Sequence, residues 1–172
     1  VTTSRVYTAA ARQKAWAFIR DKLKSGRQAY IVCPRVQVSG NGEETDNASA
    51  EAVFAELRSG ELRGFDVGIV HGQMDRGRKA AAMESFRRGD TQAIVSTTVV
   101  EVGVDVPNAT LMVIYQAERF GLSQLHQLRG RISRGRFDGY CFLFSETDAD
   151  DAVSRLHALE RTSNGFEIAE AD

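Results

Sequence analysis

The chain has 172 residues, of which 42% are hydrophobic and two are proline, and this length and composition predict one globular domain with its own core. Its formal net charge of −1 excludes overall basicity as a reason to expect a nucleic-acid partner, so such a partner would have to be bound by local patches. Two cysteines without a C-x-x-C spacing favour a reducing cytoplasm over a disulfide framework or a zinc site. Because no apolar run approaches about 18 residues, we expect no membrane partner.

Predicted strands and helices alternate along the chain. In chain order they are a strand at 1–7, a helix at 8–25, a strand at 28–34, a helix at 48–59, a strand at 65–71, a helix after a cap at Asp75, strands at 91–96 and 110–116, a helix at 122–133, a strand at 139–144 and a helix at 148–161. The polar segment 35–47 predicts a mobile loop. This alternation predicts an α/β fold with a parallel sheet sandwiched between helices, in which ligands bind beyond the carboxyl ends of the strands. Since the opening VTTSRVY has the pattern of a strand and lacks an initiating methionine, we expect the chain to be part of a longer protein.

Residues 124–136, QLHQLRGRISRGR, combine two helical stripes. At about 100° per residue, one stripe is apolar and the other polar. The apolar stripe is Leu125, Leu128 and Ile132, and the polar stripe is Gln127, Arg131 and Arg134. Guanidinium groups three residues apart suit the binding of phosphate oxygens, and an exposed basic helix end stabilised by the helix dipole is the alternative. Gly130 and Gly135 each cost a helix interior about 1 kcal/mol, which predicts that another group approaches that backbone closely.

The segment after the strand at 91–96 reads TTVVEVGVDVPN. The hydroxyls and amides of Thr97 and Thr98 could hold a phosphate, although threonine pairs are also ordinary strand residues. Glu101 and Asp105 flank Gly103 among valines, and carboxylates in an apolar setting need partners or ligands. Asp105 could instead cap a turn before the following proline.

Four segments together resemble helicase superfamily 2. Gln127, Gly130, Arg131 and Arg134 match the Q-x-x-G-R-x-x-R pattern of its motif VI, with Ser133 where glycine is usual. The run TTVVEVGVDVPNA resembles motif V, HGQM at 71–74 resembles motif IVa, and AYIVCPRV resembles motif IV. Without this context, the histidine of HGQM would be interpreted as a surface turn residue.

The resemblance implies roles for particular residues. Arg131 and Arg134 would be catalytic arginine fingers that reach ATP bound on a preceding domain. The nucleotide cleft would include Gly103, Asp105, Gln127 and Gly130. The nucleic-acid backbone would be contacted by His71, Gly72, Thr97 and Thr98. We expect His126 to pack or hydrogen-bond locally, and no metal site is indicated.

The sequence lacks the G-x-x-x-x-G-K-[ST] and D-E-x-[HD] patterns that hold ATP phosphates and magnesium. We therefore expect the chain to be inactive alone, with ATP and Mg²⁺ held mainly by an N-terminal motor domain of the same protein. Residues 1–147 would form the helicase C-terminal RecA-like domain, and 148–172 would begin a helical extension that is incomplete here.

The string FGLSQLHQLRGR at 120–131 most resembles bacterial helicases that remodel forked or four-way DNA through a wedge domain. Transcription-repair coupling translocases come second by the same comparison of motifs. Either kind of protein would contact DNA through its backbone, and we expect a monomer. A non-enzymatic α/β interaction module and an RNA helicase are further alternatives, although the RNA enzymes more commonly have H-R-x-G-R-x-x-R in motif VI.

Overall fold

The computed structural model describes residues 2–34, 36–37, 44–72, 74–97, 106–132 and 138–145. Its strands are β1 (Thr2–Val6), β2 (Gln28–Val32), β3 (Val36–Gln37), β4 (Glu44–Thr45), β5 (Val67–Val70), β6 (Ala93–Ser96), β7 (Ala109–Ile114) and β8 (Tyr140–Phe144). Its α-helices are α1 (Ala9–Lys24), α2 (Asp46–Ser59), α3 (Arg76–Arg87) and α4 (Leu122–Arg129), and a short 3₁₀ helix at Ala117–Arg119 lies between β7 and α4.

Local sequence sets where the helices begin. The Thr8 hydroxyl accepts a hydrogen bond from the Ala11 amide at 3.1 Å at the start of α1. The Asp75 carboxylate accepts one from the Arg78 amide at 2.8 Å, so the predicted cap of α3 is confirmed. After α1, Gly26 has a φ of 98°, a left-handed conformation that glycine adopts without a steric penalty.

Six strands form one parallel sheet in the order β1-β8-β7-β2-β6-β5, which confirms the predicted architecture. Alternate side chains of the buried strands face opposite layers. In β2, Tyr30 and Val32 belong to the core shared with α3 and α4, whereas Ala29 and Ile31 belong to the core shared with α1 and α2. Burying a large apolar side chain contributes about 1.5–3 kcal/mol, so both layers stabilise the sheet.

Two predicted elements differ from the structure, and the structure does not describe a third. The segment predicted as a loop at 35–47 contains a short antiparallel pair, β3 with β4, whose two-residue strands are too short to show an alternating pattern. The helix predicted at 122–133 ends at Arg129. The helix predicted at 148–161 lies outside the described residues. No helix in the described ranges is both long and apolar enough to cross a membrane.

Candidate functional site

Two predicted nucleic-acid residues lie side by side at the carboxyl edge of the sheet. Val70, the last residue of β5, pairs with Ser96, the last residue of β6. His71 and Thr97 are therefore the next residues on neighbouring parallel strands. This is the edge at which ligands of parallel sheets bind. Gly72 follows directly and is exposed.

His71 is 6% exposed, so it is not the surface turn residue that the sequence alone favoured. Its Nε2 lies 3.4 Å from Oε1 of Glu51 on α2, and that carboxylate side chain is 62% exposed. Its Nδ1 is buried without a hydrogen-bond partner in the described part of the chain. The backbone carbonyl of His71 accepts a hydrogen bond from the Met74 amide at 3.2 Å, which fixes the turn that leads to α3.

Thr97 repeats this pattern on the neighbouring strand. The residue is 3% exposed, and its Oγ1 has no hydrogen-bond partner among the residues described. A buried hydroxyl without a partner costs about 1–3 kcal/mol, so such groups require an explanation. Two residues that follow neighbouring strands at this edge therefore each carry a buried polar atom without a hydrogen-bond partner among the described residues. Thr98 lies outside the described residues.

The two stripes predicted for 124–136 are present in its described part. Leu125, Leu128 and Ile132 are each 2% exposed or less, whereas Gln127 and Arg131 are exposed. The Arg131 amide donates to the Leu128 carbonyl at 2.9 Å, which places this residue in a tight turn after α4. Arg134 of the polar stripe lies outside the described residues, as do Gly103 and Asp105 of the predicted nucleotide cleft.

Gly130 occupies the C-cap of α4 and not a helix interior, so the predicted cost of an interior glycine does not apply there. The Gly130 amide donates to the His126 carbonyl at 3.0 Å, and its φ of −65° is an ordinary right-handed value. A Cβ at this position would meet the Gln127 carbonyl oxygen at 3.3 Å, a tight contact with the chain's own turn. Gly135 lies outside the described residues.

Arg129, the last residue of α4, is a buried arginine that the motifs did not single out. It is 6% exposed, and its Nη1 donates to Oγ1 of Thr3 at 3.2 Å. Burial lowers the pKa of the Arg129 guanidinium from its ordinary value. The signal was present, because Arg129 is four residues after Leu125 and so falls on the apolar stripe. Thr3 is the second residue of β1, so the end of α4 lies towards the amino ends of the strands.

Gln116 is a second feature that the pattern did not predict. It follows β7 and has a φ of 48°, the left-handed region that residues other than glycine rarely adopt. Its Oε1 is buried without a hydrogen-bond partner in the described ranges. The neighbouring Tyr115 is largely buried, and this burial raises the pKa of its phenol above the ordinary value. His126 on α4 is half-buried, and its Nδ1 has no hydrogen-bond partner among the described residues.

Comparison with protein families identifies the domain. The model of the family called helicase conserved C-terminal domain matches residues 13–136. This range begins in α1 and ends within the arginine-rich segment. It contains every residue that the motifs singled out.

Individual relatives agree with this family. The ATP-dependent DNA helicase RecG of Synechocystis sp. is 46% identical over 167 residues, which are 97% of this chain and 20% of that protein. RecG of Bacillus subtilis is 46% identical over 157 residues, which are 91% of this chain and 22% of that protein. The chain thus spans about a fifth of the length of these relatives.

A solved structure of RecG bound to a three-way DNA junction superposes with a TM-score of 0.80 at 38% identity, over 99% of this chain and 21% of that one. The expected resemblance to superfamily 2 helicases is confirmed. The chain belongs to the helicase conserved C-terminal domain family, and it is a RecA-like helicase domain similar to part of the RecG DNA helicases.

Proposed function

We propose that the chain is the second motor domain of an ATP-dependent double-stranded DNA translocase that acts in recombination and repair by remodelling stalled forks and four-way junctions. In this proposal Arg131 and Arg134 are arginine fingers for ATP bound on a first motor domain. The two domains close around ATP, the fingers stabilise negative charge in the transition state, and reopening after hydrolysis moves the DNA. An arginine finger increases the rate of GTPases by about 10³–10⁵.

The exposure of Arg131 is the observation that carries this proposal. Its guanidinium has no ion pair within the described residues, although the opposite face of the same segment is buried through Leu128 and Ile132. A packed helix end thus holds a permanent positive charge towards solvent. Such a charge, fixed by a rigid element, suits a phosphate that arrives from another domain.

The proposed nucleotide site includes four residues besides the two arginines. We propose that Gln127, Gly130, Gly103 and Asp105 line the cleft opposite the first domain, which would hold most of ATP and its Mg²⁺. Gln127 and Gly130 are exposed beside Arg131, so all three are accessible to a partner domain. The chain therefore supplies charge and orientation to hydrolysis, and the first domain supplies the phosphate-binding loop.

DNA would be contacted at the carboxyl edge. The Thr97 hydroxyl can donate to a phosphate oxygen, and His71 can do so when its imidazole carries a proton on Nδ1. We propose that Gly72 and Thr98 contribute backbone contacts beside them. Contacts of this type position the duplex and carry no sequence information. The similarity to a RecG solved with a three-way junction supports a branched DNA partner.

We propose a boundary between a RecA-like domain at 1–147 and the beginning of a helical extension at 148–172. The whole protein would be a cytoplasmic monomer in which this chain, the first motor domain and a wedge domain together form the translocase. Selection of branched DNA would then belong to the wedge, because backbone contacts alone do not distinguish a fork from a linear duplex.

The test is ATP hydrolysis and strand remodelling by the full-length protein on forked and linear DNA of equal length. We expect hydrolysis to depend on DNA and to be faster on the fork. Arg63→Ala serves as the matched control for Arg131→Ala, since Arg63 is also exposed and makes no ion pair within the described ranges. Hydrolysis that no DNA stimulates would contradict the proposed DNA translocase, and the absence of any hydrolysis would favour a non-enzymatic interaction module.

A further inference from the structure

Arg129 occupies a position where a purely structural helix would carry a hydrophobic residue. It continues the buried stripe of Leu122 and Leu125 at helical spacing, and both leucines are fully buried. Removing a guanidinium from water is unfavourable unless it is hydrogen-bonded, and arginine is almost never fully buried without partners. An apolar side chain would complete the stripe without this penalty. The arginine therefore contributes something other than packing.

One contact of Arg129 joins residues that are far apart in the sequence. Its Nη1 donates at 3.2 Å to Oγ1 of Thr3, which is 126 residues away and 8% exposed. Thr3 lies on the edge strand β1 and pairs with Cys141 of β8. The guanidinium thus joins the end of α4 to the outer two strands of the sheet.

The turn that carries Arg131 is attached to this anchored helix end. The Gly130 amide donates to His126, the Arg131 amide to Leu128 at 2.9 Å, and the Ile132 amide to Arg129 at 3.2 Å. Side chains two residues apart on a helical turn face away from each other. Accordingly, the Arg129 side chain is buried while that of Arg131 is exposed.

We infer that Arg129 is a positioning residue that holds Arg131 in place through its hydrogen bond to Thr3. This inference rests on the proposed function, because it requires Arg131 to act on ATP. Catalytic groups must be held within about 0.5 Å of their productive position, and a displacement of 1 Å can reduce the rate by about 10²-fold. The hydrogen bond across the domain supplies that restraint without contacting ATP.

The experiment measures kcat and KM for DNA-stimulated ATP hydrolysis in the full-length protein. The variants are Arg129→Met, Arg129→Lys, Thr3→Val, Arg131→Ala and the double variant Arg129→Met with Arg131→Ala. We expect Arg129→Met to reduce kcat about 10- to 100-fold with little change in KM for ATP. We expect Arg129→Lys, which keeps a charged donor, to recover part of that loss.

The double variant separates positioning from general structural support. If Arg129 acts through Arg131, removing both should be no worse than removing Arg131 alone, whereas independent effects would multiply. If Arg129→Met does not fold, as judged by its melting temperature, the same comparison is made with Thr3→Val. Wild-type kcat in the folded Arg129 or Thr3 variants, or multiplicative losses, would overturn the inference while leaving the proposed function intact. Normal hydrolysis by Arg131→Ala would instead overturn the proposed function itself.

Discussion

The imidazole of His71 lies against the carboxylate of Glu51, with 3.4 Å between Nε2 and Oε1. His71 is buried at the end of β5, and Glu51 projects from α2 with most of its side chain exposed. This distance is longer than that of a good hydrogen bond, so the contact is weak. A negative charge therefore lies beside a residue that we propose as a DNA contact.

For His71, the expected result of His71→Gln, whose amide replaces Nε2 but not Nδ1, is a loss of DNA affinity of about five- to tenfold, since one hydrogen bond contributes about 1 kcal/mol or slightly more. The loss should be equal on forked and linear DNA, because phosphate contacts do not depend on sequence or branching. Glu51→Gln is the companion variant, and removal of its charge should tighten binding by up to about fivefold. Fluorescence anisotropy with the full-length protein measures both, and unchanged affinity in His71→Gln would remove this residue from the interface.

Thr97→Val should separate stability from function. Because the Thr97 hydroxyl is buried without a partner in the described part of the chain, replacing it with a methyl group should leave stability unchanged or raise it by about 1 kcal/mol. DNA-stimulated hydrolysis should nevertheless fall. Thr91→Val is the matched control, since the Thr91 hydroxyl donates to Ser85 Oγ at 3.0 Å at the opposite end of β6.

For that control we expect the reverse result, a loss of about 1 kcal/mol with normal hydrolysis. Urea unfolding and steady-state hydrolysis measure the two properties of each variant. A destabilised Thr97→Val protein with normal hydrolysis would show that this hydroxyl serves only the fold.

The sequence predicted the sheet, the flanking helices and the two faces of α4 because each depends on periodic burial, as with the buried Leu125 and Leu128 and the exposed Gln127. The position of Arg129 on the apolar stripe indicates its burial, but no local pattern predicts its contact with Thr3, which joins residues 126 positions apart. The left-handed Gln116 was missed because glutamine gives no signal for that conformation. The end of α4 was misplaced by a few residues because Gly130 caps the helix from a right-handed conformation.

Gln116 offers a prediction about stability. Asparagine tolerates the left-handed region better than glutamine, so it should occupy this position at a lower conformational cost. We expect Gln116→Asn to raise the free energy of unfolding by about 0.5–1 kcal/mol, and Gln116→Ala to give no gain. Chemical denaturation of the chain measures this, and a less stable Gln116→Asn variant would contradict the proposed strain.

Alkaline pH should destabilise the fold through Cys141. Burial raises the pKa of this thiol from 9.0 to about 12. The unfolded chain therefore loses its thiol proton at a lower pH than the folded chain, so stability is fully present below pH 9 and falls as the pH rises towards 12. The slope for one such group is at most about 1.4 kcal/mol per pH unit.

The raised pKa of Tyr115 acts in the same direction at higher pH. Urea unfolding measured at roughly pH 8, 9, 10 and 11 tests this loss of stability at alkaline pH. Cys141→Ala should be less stable near neutral pH because it leaves a cavity, but its stability should depend less on pH above 9. If the free energies of unfolding of wild type and Cys141→Ala changed in parallel with pH, Cys141 would not be the cause of the alkaline loss of stability.

The arginine-finger role of this domain is tested by single-turnover ATP hydrolysis on forked DNA by full-length wild type, Arg131→Ala, Arg134→Ala and Arg63→Ala, together with the affinity of each for a non-hydrolysable ATP analogue. We predict that both finger variants lose about 10³-fold or more in the hydrolysis rate, with folding and analogue binding retained, and that Arg63→Ala is normal. Normal hydrolysis by Arg131→Ala and Arg134→Ala would show that these arginines are only a solvated helix face, and the motor function proposed for this domain would then lose its basis.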